Sequence, residues 1–235
     1  MKIGFFIENY RQGGLDKIFI EKINNWPKSS DELYVFCNSD HQGIEYLKKN
    51  IPSKCNFITY KSPYFFIGNI KSKLINFVFR VLYNTIFCYI RMVTEIYSFK
   101  KKVSLNKIDI LYIHNGGWPG GRVTRSVAIA GKLAGIHQVF YVIHNLAYRK
   151  NILIYFQEAF LESVLKLFKI EVISVSDAVK RTLAKYTFLP KAITILNGIS
   201  EPKIKISNKQ DFLKKLKIDQ DHFIISTIGT FEMRR

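Results

Sequence analysis

The chain has 235 residues, of which 48% are hydrophobic and 23% are charged, so its composition excludes a disordered protein and allows one large domain or two small ones. Its 36 lysine and arginine residues against 18 acidic residues give a formal charge of +18, which favours a polyanionic partner such as nucleic acid, an anionic membrane or a phosphate-bearing substrate. A composition heavy in lysine, asparagine and isoleucine is the alternative explanation of this charge.

A strand, a glycine pair and a helix open the chain. Residues 3–7 form an apolar run that predicts the first strand, and a helix with one apolar face is predicted from Leu15 to the residue before Pro27. Between them lie Gly13 and Gly14, which would let the backbone approach a phosphate at a helix N-terminus. A plain tight turn is the alternative. Because there is no GxGxxG pattern and no acidic residue closes the second strand, we expect no dinucleotide site.

The chain up to residue 199 alternates short apolar runs with helical patterns. The run 139–143 is rich in β-branched and aromatic residues between polar neighbours, as in a strand buried on both faces. The further predicted strands are 33–37, 56–60, 108–113, 172–175 and 192–196. The further predicted helices are 43–49, 122–134, 151–168 and 178–186, the last capped by Asp177. This order predicts an α/β fold with a doubly wound, mostly parallel Rossmann-like sheet.

Residues 64–102 interrupt the alternation with a segment that is both apolar and basic. Apolar residues recur there at helical spacing, without Pro or Gly from 70 to 99. The basic residues interleaved with them are Lys71, Lys73, Arg80, Arg91, Lys100, Lys101 and Lys102. The longest run without a charge, 81–90, is too short to span a bilayer. Two interpretations remain: a helix pair packed on the sheet, or a basic amphipathic element lying on an anionic membrane.

Polar residues follow nearly every predicted strand. They are Glu8 and Asn9, Asn38, His114 and Asn115, His144 and Asn145, Ser176 and Asp177, and Asn197. Because open α/β sheets bind ligands beyond the carboxyl ends of their strands, these residues predict a cleft along that edge. Helix capping explains some of them but does not readily explain two histidines. For His114 and His144 the alternative is a structural role, and His41, His137 and His222 are expected at the surface or at strand edges.

The loop after the fourth predicted strand is rich in glycine. It consists of Asn115, Gly116, Gly117, Trp118, Pro119, Gly120 and Gly121. Such a loop can wrap closely around a ligand. Arg122 and Arg125 follow in the first turn of a helix, where cations oppose the helix dipole, and this placement indicates an anionic partner near the helix start. A solvated loop with a helix cap is the alternative.

The cysteines and the first residues bear on the cellular compartment, and the last residues bear on the number of domains. Cys37, Cys55 and Cys88 have no metal-ligand spacing and lie in or beside apolar runs, as expected of buried free thiols in a reducing cytosol. The chain opens on a strand and not on a secretory leader. Residues 200–209 have the composition of a linker. Residues 210–235, with a predicted strand at 223–228, are expected to begin a second domain that is incomplete.

Four segments in order resemble the amino-terminal half of the GT-B-fold glycosyltransferases of family 4, the retaining enzymes that build bacterial surface polysaccharides and glycolipids. They are the Gly13-Gly14 loop, His144-Asn145 after a buried strand, Ile-Ser-Val-Ser at 173–176, and Ile-Leu-Asn-Gly-Ile at 195–199. Residues 223–232 also resemble the first strand and turn of the family's donor domain. The resemblance implies that residues 1–199 are the acceptor-side domain and that 210–235 begin the nucleotide-sugar-binding domain.

The resemblance further implies roles for single residues. Gly13 and Gly14 would approach the donor diphosphate, and His144 would be the catalytic residue, in contact with the transferred sugar near its reacting centre. The acceptor-binding residues would be His114, Asn115, Gly116, Gly117, Trp118, Arg122 and Asn145. The donor would be a nucleotide-diphosphate sugar and the acceptor a glycan or a lipid-linked molecule, and the chemistry would need no metal and no cofactor.

The chain departs from the family in its last residues. The family's donor-binding Lys and paired Glu would lie beyond residue 235, and Thr230 stands where many members have Arg. We therefore expect these residues alone to bind an acceptor or an anionic membrane, in the cytoplasm at the inner face of the cell membrane, and to transfer sugar poorly. A peripheral membrane-binding or anionic-ligand-binding module without catalysis is the alternative function. Nucleic-acid binding is not expected, since there is no helix-turn-helix, zinc spacing or RNP-like aromatic motif.

Overall fold

A computed structural model of the protein describes residues 1–61, 75, 82, 86–148, 152–198 and 209–218. The chain divides into two compact units, residues 1–199 and residues 200–235. Several predictions lie outside the described residues: the strand 223–228, the linker up to residue 208, and Lys71, Lys73 and Arg80 of the basic segment.

The described residues contain seven strands and seven helices. The strands are β1 (Lys2–Ile7), β2 (Glu32–Asn38), β3 (Asn56–Tyr60), β4 (Ile110–Asn115), β5 (Gln138–Ile143), β6 (Glu171–Ser174) and β7 (Ile193–Thr194). The helices are α1 (Gly14–Asn24), α2 (Ile44–Asn50), α3 (Cys88–Leu105), α4 (Arg122–Leu133), α5 (Ile152–Leu167), α6 (Asp177–Tyr186) and α7 (Lys209–Lys215). Helix α7 belongs to the second unit and the other elements to the first.

The seven strands form one sheet in the order β3-β2-β1-β4-β5-β6-β7, and every described pair of neighbours is parallel. This confirms the predicted α/β fold with a doubly wound, Rossmann-like sheet. The strand order reverses between β1 and β4. The crevice beyond the carboxyl ends of these two strands is therefore the topological switch point at which open α/β sheets bind ligands.

Helices cover both faces of the sheet, which explains why the strands read as unbroken apolar runs. Successive side chains of a strand point to opposite faces. In β1, Phe5 packs against Phe19 of α1, whereas Phe6 packs on the other face against Phe99 of α3. One core cluster joins the sheet to α1 and α2, and a second joins it to α3, α4, α5 and α6.

Two strands differ from the predicted boundaries by two residues at one end or both. Strand β4 begins two residues later than predicted, because Ile108 still belongs to the turn that closes α3, where its N–H donates to the carbonyl of Val103 at 3.2 Å. Strand β7 has two residues where five were predicted, since only Ile193 and Thr194 pair with β6. Both errors fall where an apolar run continues beyond the residues that pair within the sheet.

Helix α6 is capped by a serine and not by the predicted aspartate. The hydroxyl of Ser176 accepts a hydrogen bond from the backbone N–H of Val179 at 3.2 Å, and Ser176 has extended backbone. Asp177 is the first helical residue, and its carboxylate accepts a hydrogen bond from the hydroxyl of Thr194 at 2.9 Å. The cap thus lies one residue earlier than the sequence suggested.

Candidate functional site

The carboxyl ends of β1, β4 and β5 lie side by side and carry the predicted polar residues. Ile7 pairs with His114, and His114 pairs with Val142, so the residues that follow these strands meet at one edge of the sheet. His114 and His144 lie on the face covered by α1, and Asn115 lies on the face covered by α4. Two separate groups of polar side chains therefore flank the switch point.

The two histidines are in direct contact. His114 Nδ1 lies 3.0 Å from His144 Nε2, and the two rings stack with their centroids 5.2 Å apart. The ring of Phe19 in α1 meets His114 edge-on at 5.1 Å. His114 is fully buried, whereas His144 is half-buried and reaches the edge of the sheet. His114 therefore cannot touch an acceptor, which corrects the predicted acceptor-binding role, and His144 can contact a ligand.

Both rings are neutral near pH 7. Burial, reinforced by the Lys22 ammonium, lowers the pKa of His144 to about 4. Burial, the Lys22 ammonium and the neighbouring His144 lower the pKa of His114 well below its usual value. A neutral imidazole donates one hydrogen bond and accepts another. His144 is thus suited to orient a hydroxyl or a phosphate oxygen by hydrogen bonding and does not act as an ionic partner.

The Gly13-Gly14 turn lies on the same face of the sheet, at the start of α1. Both glycines are exposed, and a Cβ placed on either would meet no protein atom within 4 Å. Gly13 has extended backbone, with a φ of −167°. Neither packing nor conformation therefore requires glycine here. The N–H of Gly13 donates to Asp16, whereas those of Gly14 and Leu15 precede the helical ladder and have no acceptor among the described residues.

A buried Asp-His pair, which was not predicted from the sequence, supports this turn. His41 Nε2 lies 3.0 Å from Asp16 Oδ1, and both side chains are fully buried. His41 Nδ1 accepts the N–H of Gly43, so Nε2 carries the proton that binds the carboxylate. Asn9 and Gly13 also donate to Asp16. Of the two positions expected for His41, the surface or a strand edge, the first is wrong because the residue is buried. An aspartate three residues after the glycine, a capping position, was the available signal.

On the other face, a carboxylate of the protein occupies the start of α4. Glu8 Oε2 accepts hydrogen bonds from the N–H groups of Val123 at 2.9 Å and Thr124 at 3.3 Å, and Tyr10 donates its hydroxyl to Oε1 at 2.7 Å. Burial raises the pKa of Glu8. The anion position that the sequence analysis inferred near Arg122 is therefore filled at the helix N-terminus by the chain itself.

Asn115 shapes the glycine-rich loop from inside. It is buried, accepts the N–H of Gly121 at 2.8 Å and donates to the carbonyl of Gly117 at 2.6 Å. Gly120 has a φ of +58°, and a Cβ there would lie 2.2 Å from the side-chain oxygen of Asn115. The predicted acceptor contact of Asn115 is thus corrected, because both polar ends of its side chain bind the loop.

Trp118 is also turned inward. Its side chain is fully buried, and Nε1 donates to Glu162 of α5 at 2.7 Å. It cannot contact an acceptor in this position, which corrects its predicted role. Arg125 in α4 is buried as well, ion-paired with Glu158 of α5. Among the predicted acceptor residues, Arg122 and Asn145 are exposed, and Gly116 and Gly117 are half-buried.

Helix α3 turns a charged pair inward. Arg91 is buried and ion-paired with Glu95, with Nε 3.2 Å from the carboxylate, so it does not face a membrane as predicted. Lys100 and Lys101 are exposed and Lys102 is half-buried. In the part of the chain that is described, no helix combines the length and apolar content needed to cross a bilayer.

A cavity of about 360 Å³ opens between α3 and the start of α4. It is lined by Glu8, Tyr10, Arg91, Gly120, Gly121, Arg122 and Val123. Arg91 was predicted to contact a membrane and Arg122 an acceptor, yet both line this one cavity next to the switch point. Within the described ranges, no cluster of three His, Cys, Asp or Glu side chains could hold a metal ion.

Solved structures resemble this fold at low sequence identity. A glycosyltransferase from Rickettsia africae matches with a TM-score of 0.57 and 13% identity, over 94% of this chain and 50% of that one. MurG from Acinetobacter baumannii matches with a TM-score of 0.45 and 13% identity, over 85% and 47%. A UDP-GlcNAc 2-epimerase from Neisseria meningitidis, bound to UDP-GlcNAc, matches with a TM-score of 0.45 and 11% identity, over 83% and 45%. No family model and no curated protein matches the sequence.

The chain spans about half the length of these structures. The Rickettsia glycosyltransferase shares its fold with nearly all of this chain, which supports the predicted GT-B type of fold. At 13% identity the match concerns the fold alone.

Proposed function

We propose that this chain is the acceptor-side half of a retaining, nucleotide-sugar-dependent glycosyltransferase of family 4, which transfers a hexosyl residue to a surface polysaccharide or a lipid-linked acceptor. One observation carries the proposal. A half-buried, neutral His144 lies at the switch-point edge of the sheet, on the same face as the open Gly13-Gly14 turn. The fold shared with a glycosyltransferase and the four family-like segments support it.

The geometry suits a reaction in which positive charge develops on the sugar and negative charge on a leaving diphosphate. Amides at the start of α1 and the positive end of its dipole would stabilise the diphosphate. His144 would hold the sugar by a hydrogen bond without placing a cation next to an oxocarbenium-like centre. The cavity at Glu8 and Arg122 lies at the same switch point and is the proposed acceptor site. The proposed donor is a nucleotide-diphosphate sugar, with no cofactor.

The proposal is tested by transfer from a panel of nucleotide-sugars in the full-length protein. His144→Ala should lower turnover by about 10²-fold or more, as expected for a positioned group at the reacting centre. His137→Ala is the matched control, because His137 is exposed and outside the site. Unchanged turnover in the His144 variant would return this residue to a structural role and remove the proposal.

The diphosphate position has its own test. Gly14→Ala adds a methyl group where the structure has open space, so stability should stay the same. If the diphosphate approaches this turn, the methyl group should raise the KM for the donor by about 10-fold, equal to roughly 1.4 kcal/mol of binding. An unchanged KM would place the diphosphate elsewhere.

A second candidate function, membrane attachment, has specific support in α3 and the turn before it. Ile86, Ile90, Val93 and Tyr97 are 53%, 49%, 61% and 73% exposed, and their spacing puts them on one face. The opposite face buries the Arg91–Glu95 pair. A helix that exposes its apolar side beside Lys100 and Lys101 is suited to an anionic bilayer surface. We propose that this face lies on the inner leaflet of the cell membrane.

Vesicle sedimentation tests the membrane face. Val93→Glu should weaken binding to phosphatidylglycerol vesicles by about 10-fold, through lost apolar burial and added negative charge. Ser98→Glu is the control, since it adds the same charge at an exposed position of α3 outside the apolar stripe. Equal binding by the two variants, or indifference to lipid charge, would contradict membrane attachment.

A further inference from the structure

The contact between His114 and His144 constrains where their protons lie. His114 Nδ1 and His144 Nε2 are 3.0 Å apart, so one of them donates to the other. The second nitrogen of His114, Nε2, is buried and has no hydrogen-bond partner among the described residues. His144 is half-buried, and its one side-chain hydrogen bond to a described residue uses Nε2, so its Nδ1 remains available to a ligand.

Two arrangements of neutral rings are possible, and they differ in what His114 buries. If His144 Nε2 donates, the proton of His114 must lie on Nε2, where a buried N–H would have no acceptor. If His114 Nδ1 donates, Nε2 of His114 is only a lone pair. Orphaned buried N–H groups are rarer than under-used acceptors. The first arrangement is therefore disfavoured, and so is a charged His114, which would carry the same buried N–H.

We propose that His114 is a positioning residue that donates its Nδ1–H to His144 Nε2 and thereby fixes His144 as the Nδ1–H tautomer. The accessible nitrogen of His144 is then a hydrogen-bond donor. Without this contact, a neutral imidazole exchanges its proton between both nitrogens and can offer a ligand either a donor or a lone pair. His114 thus determines that His144 donates, and does not accept, the hydrogen bond to a ligand.

The chemical class of the group that binds His144 follows from this polarity. The ligand must present an oxygen acceptor, such as a sugar hydroxyl oxygen or a phosphate oxygen, and a group that can only donate would be rejected. Phe19 covers His114 on the side of α1, which keeps water from supplying the missing partner. The consequence for catalysis rests on the proposed function, whereas the tautomer assignment does not.

The tautomer is measured directly by long-range ¹H–¹⁵N NMR on protein labelled at histidine, at pH 7.5. His144→Asn and His114→Asn assign the two signals. The expected result is the Nδ1–H pattern for both residues. An Nε2–H pattern at His144 would overturn the assignment. Because this readout needs no activity, a protein with the expected pattern and no sugar transfer would refute the proposed function and leave the positioning role intact.

A pair of variants separates positioning from packing. His114→Asn keeps an N–H near the place of Nδ1, whereas His114→Leu fills the site without a donor. Asparagine should keep kcat within about threefold, and leucine should lower kcat on the order of 10-fold to 100-fold with less change in KM, as for one lost hydrogen bond at a positioned group. In His114→Leu, His144 should also shift toward Nε2–H. Equal kcat in the two variants would overturn the role of the donor.

Discussion

Acid should destabilise the protein through His144. Burial lowers the pKa of His144 to about 4 in the folded state, below its ordinary value near 6.5 in the unfolded chain. As the pH falls, the unfolded state therefore binds a proton before the folded state does. The stability is fully present above pH 6.5 and is lost progressively between pH 6.5 and pH 4.

The size of the effect follows from the two pKa values. Between pH 7.5 and pH 5, His144 should lower the free energy of unfolding by about 2 kcal/mol. His114, whose pKa burial lowers, adds a loss of the same sign, and Glu8, whose pKa burial raises, acts in the opposite direction. A comparison of the wild type with His144→Asn largely cancels these other groups because both proteins contain them.

Urea unfolding at pH 7.5 and pH 5 measures the difference. The wild type should lose about 2 kcal/mol more than His144→Asn over this interval. His137→Asn should behave as the wild type, since His137 is exposed. Equal losses in the wild type and His144→Asn would mean that the ring at position 144 is not held neutral in the folded protein, and the inference from its burial would fail.

Three further predictions concern other parts of the molecule. Gly120→Ala should cost about 1–3 kcal/mol in a thermal unfolding assay because of its positive φ and a 2.2 Å clash, whereas Gly116→Ala, with no atom near the new methyl group, should cost far less. His41→Leu should cost about 3 kcal/mol, a fall in Tm of roughly 6–12 °C, because buried Asp16 loses its histidine, and an unchanged Tm would contradict the pair. Burial raises the pKa of Cys37 to about 12, so this thiol should react with Ellman's reagent at pH 8 only after unfolding.

The sequence was sufficient to predict the sheet because strands buried on both faces are unbroken apolar runs with polar ends. It could not place every boundary. Ile108 is apolar although it lies in the turn after α3 and not in the strand. Hydropathy alone therefore places the start of β4 two residues too early. In β7, Ile195 and Leu196 are apolar yet exposed, and only the pairing with β6 limits the strand.

The residues of the candidate site were predictable where their position follows from the neighbouring sequence, and not where it depends on tertiary contacts. His144 and Gly13 follow strands, and this position alone identifies them. The pair of Asp16 and His41 joins residues 25 positions apart, so the capping position of Asp16 is visible in the sequence whereas its contact with His41 is not. Trp118 lies in a loop of glycines that favours a ligand contact, but its partner in α5 is 44 residues away, and this partner turns the ring inward.

The two helices that begin at the switch point are not equivalent, and the difference bears on where the proposed donor diphosphate would bind. At α4, Glu8 already accepts the amides of Val123 and Thr124, so an anion there would have to displace a buried carboxylate. At α1, the only backbone N–H that Asp16 accepts is that of Gly13, and the N–H groups of Gly14 and Leu15 have no acceptor among the described residues. His144 lies on the α1 side. The face of the sheet on which these amides lie is therefore also the face that carries the histidine, and the proposed nucleotide-sugar donor, if it contacts both, would approach over α1.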